Sequence, residues 1–295
     1  LAMYLTGFAD EVSSNIEDQI RVTKELGWNA IEARSIGDLN IHDISDADFE
    51  NVCKVLIDNE ILINCFGSTI ANWSKKISDP FEISLQEVER TISRMQCLNV
   101  KLVRIMSYAR CPGSEQYAEE RFRRLKVICD KFLEAGITPL HENCMNYGGM
   151  SWMHTLELIK NIPGLRLVFD TGNPVISKDY STTEDRKQDS LEFFKKIHEH
   201  VEHIHIKDAF LDGDKECFVF PGEGDAKIVD ILKELKHMNY NGGISIEPHM
   251  ASVFHDPDAG AASFEESYKI YIEYGKRLMG LLENIDYRPS PFVSQ

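Results

Sequence analysis

Four short runs in the second half of the chain end in side chains able to hold a cation or move a proton. They are Leu140-His141-Glu142-Asn143, Val168-Phe169-Asp170-Thr171, Ile204-His205-Ile206-Lys207-Asp208 and Ile244-Ser245-Ile246-Glu247-Pro248. Each is an apolar segment of strand length that stops at a carboxylate or an imidazole. Glu142, Asp170, His205 and Glu247 form a mixed oxygen and nitrogen set that suits one divalent metal ion, Mn²⁺, Co²⁺, Zn²⁺ or Mg²⁺. A single acid at a strand end is more often a helix cap or a surface charge, and a single strand histidine is more often core. Four such groups at the same end of four successive strands point instead to a metal site. Strand side chains alternate in direction, so His203 and His205 share a face and only the latter, nearer the end, is expected to reach the site. His141 faces away from Glu142, and His249 falls in the following loop or supports the site from behind.

Such groups converge only if the strands run side by side in one direction. Strand-like runs occur at Tyr4–Ala9, Ala30–Ala33, Leu62–Phe66, Leu102–Met106, Thr138–Glu142, Leu165–Asp170, Val201–Ile206 and Gly243–Glu247. Between and after them lie amphipathic stretches of helical period at Ile16–Leu26, Asp46–Asn59, Ile83–Leu98, Ala118–Ala135, Trp152–Ile162, Ser190–Glu199, Ala226–Met238 and Phe264–Leu282. Gly27 and Gly136 stand where a helix stops before a strand, a place for the positive φ that glycine adopts without penalty. Eight strand–helix units close a (β/α)8 barrel, whose active sites lie at the carboxyl ends of the strands. A doubly wound sheet would carry a glycine-rich turn after its first strand, where this chain has Phe8-Ala9-Asp10-Glu11. The expectation is an α/β fold, a single TIM-barrel domain over 1–295, with the barrel core at about 4–285 and a tail at 286–295. Ser177–Gln188 and Phe210–Gly224 are the longest irregular pieces, expected as loops over the barrel mouth.

The 295 residues carry 32 Lys+Arg against 48 Asp+Glu, a formal net charge of −16. That field repels phosphate backbones, so nucleic acid is not an expected partner. The compact basic cluster Arg121, Arg123, Arg124 and Lys126 reads as the solvated face of a helix. No apolar run approaches the ~20 residues that span a bilayer, and no membrane partner is expected. Seven scattered cysteines without CxxC spacing read as reduced thiols. Cytoplasmic is the default location; an opening Leu1-Ala2-Met3 leaves room for a segment removed ahead of it.

The end motifs resemble the sugar isomerase/epimerase superfamily with the xylose-isomerase-like barrel, which includes ketose 3-epimerases, hydroxypyruvate isomerases, inosose dehydratases and endonuclease IV. The resemblance rests on Gly7-Phe8-Ala9-Asp10-Glu11, Glu142-Asn143, Phe169-Asp170-Thr171-Gly172-Asn173, His203-Ile204-His205-Ile206-Lys207-Asp208, Pro221-Gly222-Glu223-Gly224-Asp225 and Ile246-Glu247. It runs from the first strand to the last and implies the same four ligands. The 3-epimerases carry a histidine where this chain has Asn173, and a Glu and an Arg after the strand-seven histidine where it has Asp208 and no matching Arg. The larger histidine set of endonuclease IV is not visible.

The resemblance implies chemistry through an enediolate stabilised by the metal ion, with Glu142 and Glu247 as the catalytic acid/base pair. Each would ligate through one oxygen and keep the other for proton transfer. Glu32, Arg34, Arg104, Asn173, Lys207 and Glu223 are candidate contacts to a small sugar or polyol. Arg34 and Arg104 serve equally well in salt bridges, and Lys207 has a competing reading as the partner of Glu223 or Asp208. Trp73 and Trp152 are candidates for a stacking wall. The leading expectation is a sugar isomerase or epimerase, and the alternative is a lyase or dehydratase using the same site. A non-catalytic sugar-binding relative and an abasic-site endonuclease are more distant, and a homo-oligomer remains open.

Overall fold

A computed structural model describes residues 2–251 and 262–294. Eight parallel strands form its central sheet: β1 (Tyr4–Gly7), β2 (Ala30–Ala33), β3 (Leu62–Gly67), β4 (Leu102–Ile105), β5 (Thr138–Glu142), β6 (Arg166–Asp170), β7 (Val201–Ile206) and β8 (Gly243–Ile246). The helices are α1 (Ile16–Glu25), α2 (Asp46–Asp58), α3 (Phe81–Cys97), α4 (Ala118–Glu134), α5 (Trp152–Asn161), α6 (Ser190–Ile197), α7 (Ile228–His237) and α8 (Phe264–Asn284). Every boundary lies within two residues of its sequence-based expectation. The periodicity is clear because each helix must bury one stripe against the sheet, while strands buried on both faces read as continuous apolar runs.

Successive strands pair in order from β2 to β8, and β8 returns to pair with β1, Thr6 lying opposite Ser245. The β1–β2 seam lacks a backbone ladder; Thr6 Oγ1 crosses it to the Ala30 carbonyl at 3.1 Å and to Asn64 Oδ1 at 2.7 Å. The architecture is a TIM barrel. Side-chain oxygens begin several helices, among them Asn15 on α1, Ser45 on α2 and Ser263, in a full capping box, on α8. Gly27 and Gly136 take φ of 75° and 71° after α1 and α4, the left-handed backbone that stops a helix.

Apolar side chains between the sheet and the helices make the main core, and Cys65, Leu140 and Val168 form a small separate cluster among the described residues. Buried polar side chains, among them Glu32, Arg104, Glu142, Asp170, His203 and His205, lie on the strands beside it, and they place the site. The tail seals the opposite end: the Ser290 amide donates to the Met3 carbonyl at 2.8 Å, and the Phe292 ring packs on Tyr4 at 4.6 Å.

Two expectations are corrected. Phe210–Gly224 is not wholly irregular, because Asp208–Asp212 and Lys215–Val219 pair as an antiparallel hairpin. The cluster on α4 is not a solvated face. Arg121 is fully buried and donates to the carbonyls of Ser107, Tyr108, Ala109 and Gln116, which end the loop after β4, and Arg124 is buried with Nε 2.7 Å from Glu120. Arg123 and Lys126 face solvent as expected, paired with Glu120 and Asp130.

Candidate active site

The inward positions at the carboxyl end of the barrel bring Glu142, Asp170, His205 and Glu247 together, with one ligand atom of each within 4.8 Å of the others. All four are buried. Register explains the meeting: Asp170 of β6 and Ser245 of β8 both lie level with His205 of β7, and Glu247 follows two residues beyond Ser245 on the same face. His203, one inward step deeper, stays below the site, as expected.

Each acid is fixed by its neighbours. Asp170 Oδ1 accepts the amides of Gly172 and Asn173 at 2.9 and 2.8 Å, which turns Oδ2 toward the centre. Asn143 locks β5 to β6 by donating to the Asp170 carbonyl and accepting its amide. Glu142 has Oε2 on Arg104 Nη1 at 3.0 Å and Oε1 3.1 Å from His205 Nδ1. Glu247 has Oε1 on Arg34 Nη1 at 2.6 Å. So the second oxygen of each glutamate, expected to be open for proton transfer, also accepts from an arginine; a carboxylate oxygen keeps a further lone pair for a proton.

Lys207 Nζ lies 3.1 Å from both Asp170 Oδ2 and Glu247 Oε2 and 3.2 Å from Asn173 Oδ1. It partners neither Glu223 nor Asp208. Neither of those two carboxylate oxygens accepts a hydrogen bond of good geometry, although both are buried. Buried anionic oxygens held apart from donors call for a cation, and the ammonium supplies that charge here. The donor set, three carboxylates and an imidazole, also fits a divalent ion, which would take over the charge the ammonium supplies.

Burial raises the Asp170 carboxyl, opposed by Lys207 and reinforced by Glu247 and Glu142, up to about 7. Burial resists a charge on His205, but the Glu32 and Glu142 carboxylates outweigh it and push the imidazole up to about 10. For Glu142 and Glu247 burial is likewise outweighed, by Arg104 and His205 for the first and by Lys207, His249 and Arg34 for the second. Both are held below the ordinary carboxylate range.

A cavity of about 590 Å³ opens above, lined by Arg34, Arg104, Glu142, Asn173, Lys207, Glu247, His249 and Trp73 among others. Five of the expected contacts beyond the ligand set therefore face it: Arg34, Arg104, Asn173, Lys207 and Trp73. Glu32 does not. It is fully buried beneath His205, with Oε1 2.9 Å from His205 Nε2 and Oε2 2.8 Å from His203 Nε2. Glu223 is on the surface in an ion pair with Arg277, because Asp208 gathers the amides of Gly222, Gly224 and Ala226 and folds that loop away from the mouth. Trp152 lies outside the barrel on α5 under the Lys196 ammonium.

Some participants were missed. Asp10 grips Arg34 through Nε and Nη2 at 2.8 and 2.9 Å, and Phe8 lies under the guanidinium at 4.1 Å and against His205 at 4.9 Å. Glu11 accepts the His249 amide at 2.7 Å and lies 3.3 Å from its Nδ1. The run Phe8-Ala9-Asp10-Glu11, in place of a phosphate turn, was the available signal.

The chain matches the family model described as xylose isomerase-like TIM barrel over residues 20–270. It belongs to that family. Within it, the chain is 31% identical over 106 residues to inosose dehydratase of Clostridium perfringens, covering 31% of this chain and only 33% of that protein. The chain thus aligns with about a third of the length of the curated relative it matches. Among solved structures it is similar to a D-tagatose 3-epimerase-like protein (TM-score 0.72, 19% identity, 96% of this chain and 98% of the other). It is also similar to an IOLI protein with a bound zinc atom (TM-score 0.71, 15% identity, 98% and 100%). At these identities the structural likenesses speak to the fold alone. Among the described residues, no helix is long and apolar enough to cross a membrane.

Proposed function

We propose that the protein is a divalent-metal-dependent isomerase or epimerase of a sugar or sugar derivative. The observation that carries this is the convergence of Glu142, Asp170, His205 and Glu247, of which Glu142 and Glu247 line the cavity. A bound Mn²⁺, Co²⁺, Zn²⁺ or Mg²⁺ would polarise a substrate carbonyl and stabilise the negative charge of an enediolate. Glu142 and Glu247, both ionised at neutral pH, approach from opposite sides, β5 and β8, and remove and return the proton of the neighbouring C–H. Arg104 and Arg34 hold the two glutamates in place and line the cavity where substrate hydroxyls would lie. Asn173 and Lys207 contact the substrate from β6 and β7.

A second reading, a dehydratase of a keto-sugar or inosose, has specific support. A curated relative is an inosose dehydratase, and Lys207 places an ammonium 3.1 Å from Glu247, one of the two proposed bases, where it would protonate a leaving hydroxyl. Both readings begin with loss of a proton next to a carbonyl. The test is incubation of ketohexoses and inososes with Mn²⁺ and protein in deuterated water. Deuterium at the carbon next to the carbonyl in a saturated product supports isomerase or epimerase chemistry; an unsaturated product supports the dehydratase. Exchange that survives exhaustive chelation contradicts both.

A further inference from the structure

The cavity is larger and more lopsided than a single sugar ring requires. A pyranose displaces on the order of six waters, about 180 Å³ at ~30 Å³ each, against a cavity of about 590 Å³. Its buried charged groups, Arg34, Arg104, Glu142, Lys207 and Glu247, lie at one end. The loops after β3 to β6 make the other wall from Trp73, Met106, Met145, Met150, Ile176 and Tyr180. These loops are tied together: the Ala109 amide donates to the Lys75 carbonyl at 2.8 Å, Ala109 bridges Asn146, and the Tyr180 amide donates to the Met150 carbonyl at 3.0 Å. Arg110 caps the outer side of Tyr180, its guanidinium 4.5 Å from the ring centre. Met145 is 45% exposed at the mouth, as is Leu39 on the facing rim at 52%. Apolar side chains left open to water in a cavity that adjoins buried charge mark a place for a ligand group, since leaving them wetted forfeits burial energy.

We propose that the substrate is a glycoside-like molecule whose polyhydroxy ring carries a ketone, with that ring at the carboxylate end and an aromatic aglycone against this wall. This rests on the reading of the floor as the place where a sugar is held. Three thioethers beside an indole and a phenol suit an aromatic ring, because methionine sulfur makes favourable contacts with ring edges and adapts in shape, while aromatic pairs stack offset or edge-to-face. A second sugar would instead need hydrogen-bond partners for its hydroxyls; the same loops also bring Asn72, Arg110, Asn146 and Ser177 to the cavity, so a disaccharide is the competing occupant that the test includes.

The test is calorimetric titration of the full chain with Mn²⁺ present, using methyl β-D-glucoside, phenyl β-D-glucoside and cellobiose as unreactive probes. The phenyl glucoside should bind about tenfold or more tightly than the methyl glucoside. Tyr180→Ala and Met145→Ser should erase that advantage and leave methyl glucoside affinity unchanged. Equal affinities, no binding by any probe, an advantage that survives both substitutions, or cellobiose matching the phenyl compound would each overturn the assignment. Mn²⁺ titrated alone into the same samples reports on the metal floor separately. Loss of the phenyl preference with intact Mn²⁺ binding condemns the aglycone wall only, and absent Mn²⁺ binding condemns the reading of the floor.

Discussion

Glu32 and His205 meet through a 2.9 Å contact between a fully buried carboxylate and the imidazole Nε2, while Nδ1 of the same ring faces Glu142 at 3.1 Å. A carboxylate behind a histidine fixes its tautomer and its angle, which leaves the other nitrogen to a cation. The second Glu32 oxygen is committed to His203, so this acid is clamped by two histidines of the same strand, β7. It is a positioning residue rather than a substrate contact.

Glu32→Gln should therefore lower Mn²⁺ or Zn²⁺ affinity by about 10–100-fold with the fold retained. Calorimetric titration of the metal, with circular dichroism as the control, measures this. Unchanged affinity would show that His205 is oriented by packing alone.

Metal binding should release protons and strengthen with pH. His205 is protonated up to about 10 and Asp170 up to about 7 in the metal-free arrangement, and a ligand must give up its proton to bind. The sign follows: protons compete with the ion, so apparent affinity rises from about pH 6 to about pH 8. Titrations in two buffers of different ionisation enthalpy count the protons, and close to one per ion or more is expected near neutral pH.

Glu142→Gln and Glu247→Gln should each reduce deuterium exchange into substrate by about 10²–10⁴-fold, the ordinary worth of a positioned acid or base. Exchange kinetics followed by NMR distinguish this from a loss of substrate binding. Full activity in either variant removes that glutamate from the proposed proton pair.

Arg121→Ala should cost about 3 kcal/mol of stability, because several loop carbonyls after β4 lose a buried, charged donor at once. Chemical denaturation reads the difference. Arg121→Lys should recover little, since one ammonium cannot reproduce the planar fork.

The barrel was legible in the sequence because its strands are buried on both faces and its helices on one, so each prints its own period. The convergence of Glu142, Asp170, His205 and Glu247 was legible for a related reason: inward-facing polar residues at the carboxyl ends of apolar strands point to the mouth. Glu32 was misread because depth along a strand was ignored. It lies two residues before Arg34 on the same face, as His203 lies two before His205, so Glu32 and His203 meet inside the barrel while Arg34 reaches the cavity. Glu223 was misread because a Gly-Glu-Gly loop looks alike whether it folds over the mouth or away; the Asp208 clamp decides, and its four amide partners come from positions up to 18 residues along the chain. Arg121 was misread since a basic run on a helix does not disclose that one member faces a loop full of carbonyls.

The most direct measurement is the stoichiometry and location of bound Mn²⁺, by equilibrium titration with anomalous diffraction on the soaked crystal. One ion per chain, seated among Glu142, Asp170, His205 and Glu247 and lost in Asp170→Asn and His205→Ala, is the expected result. An ion bound elsewhere, or none at saturating Mn²⁺ while Lys207 stays between Asp170 and Glu247, would contradict it.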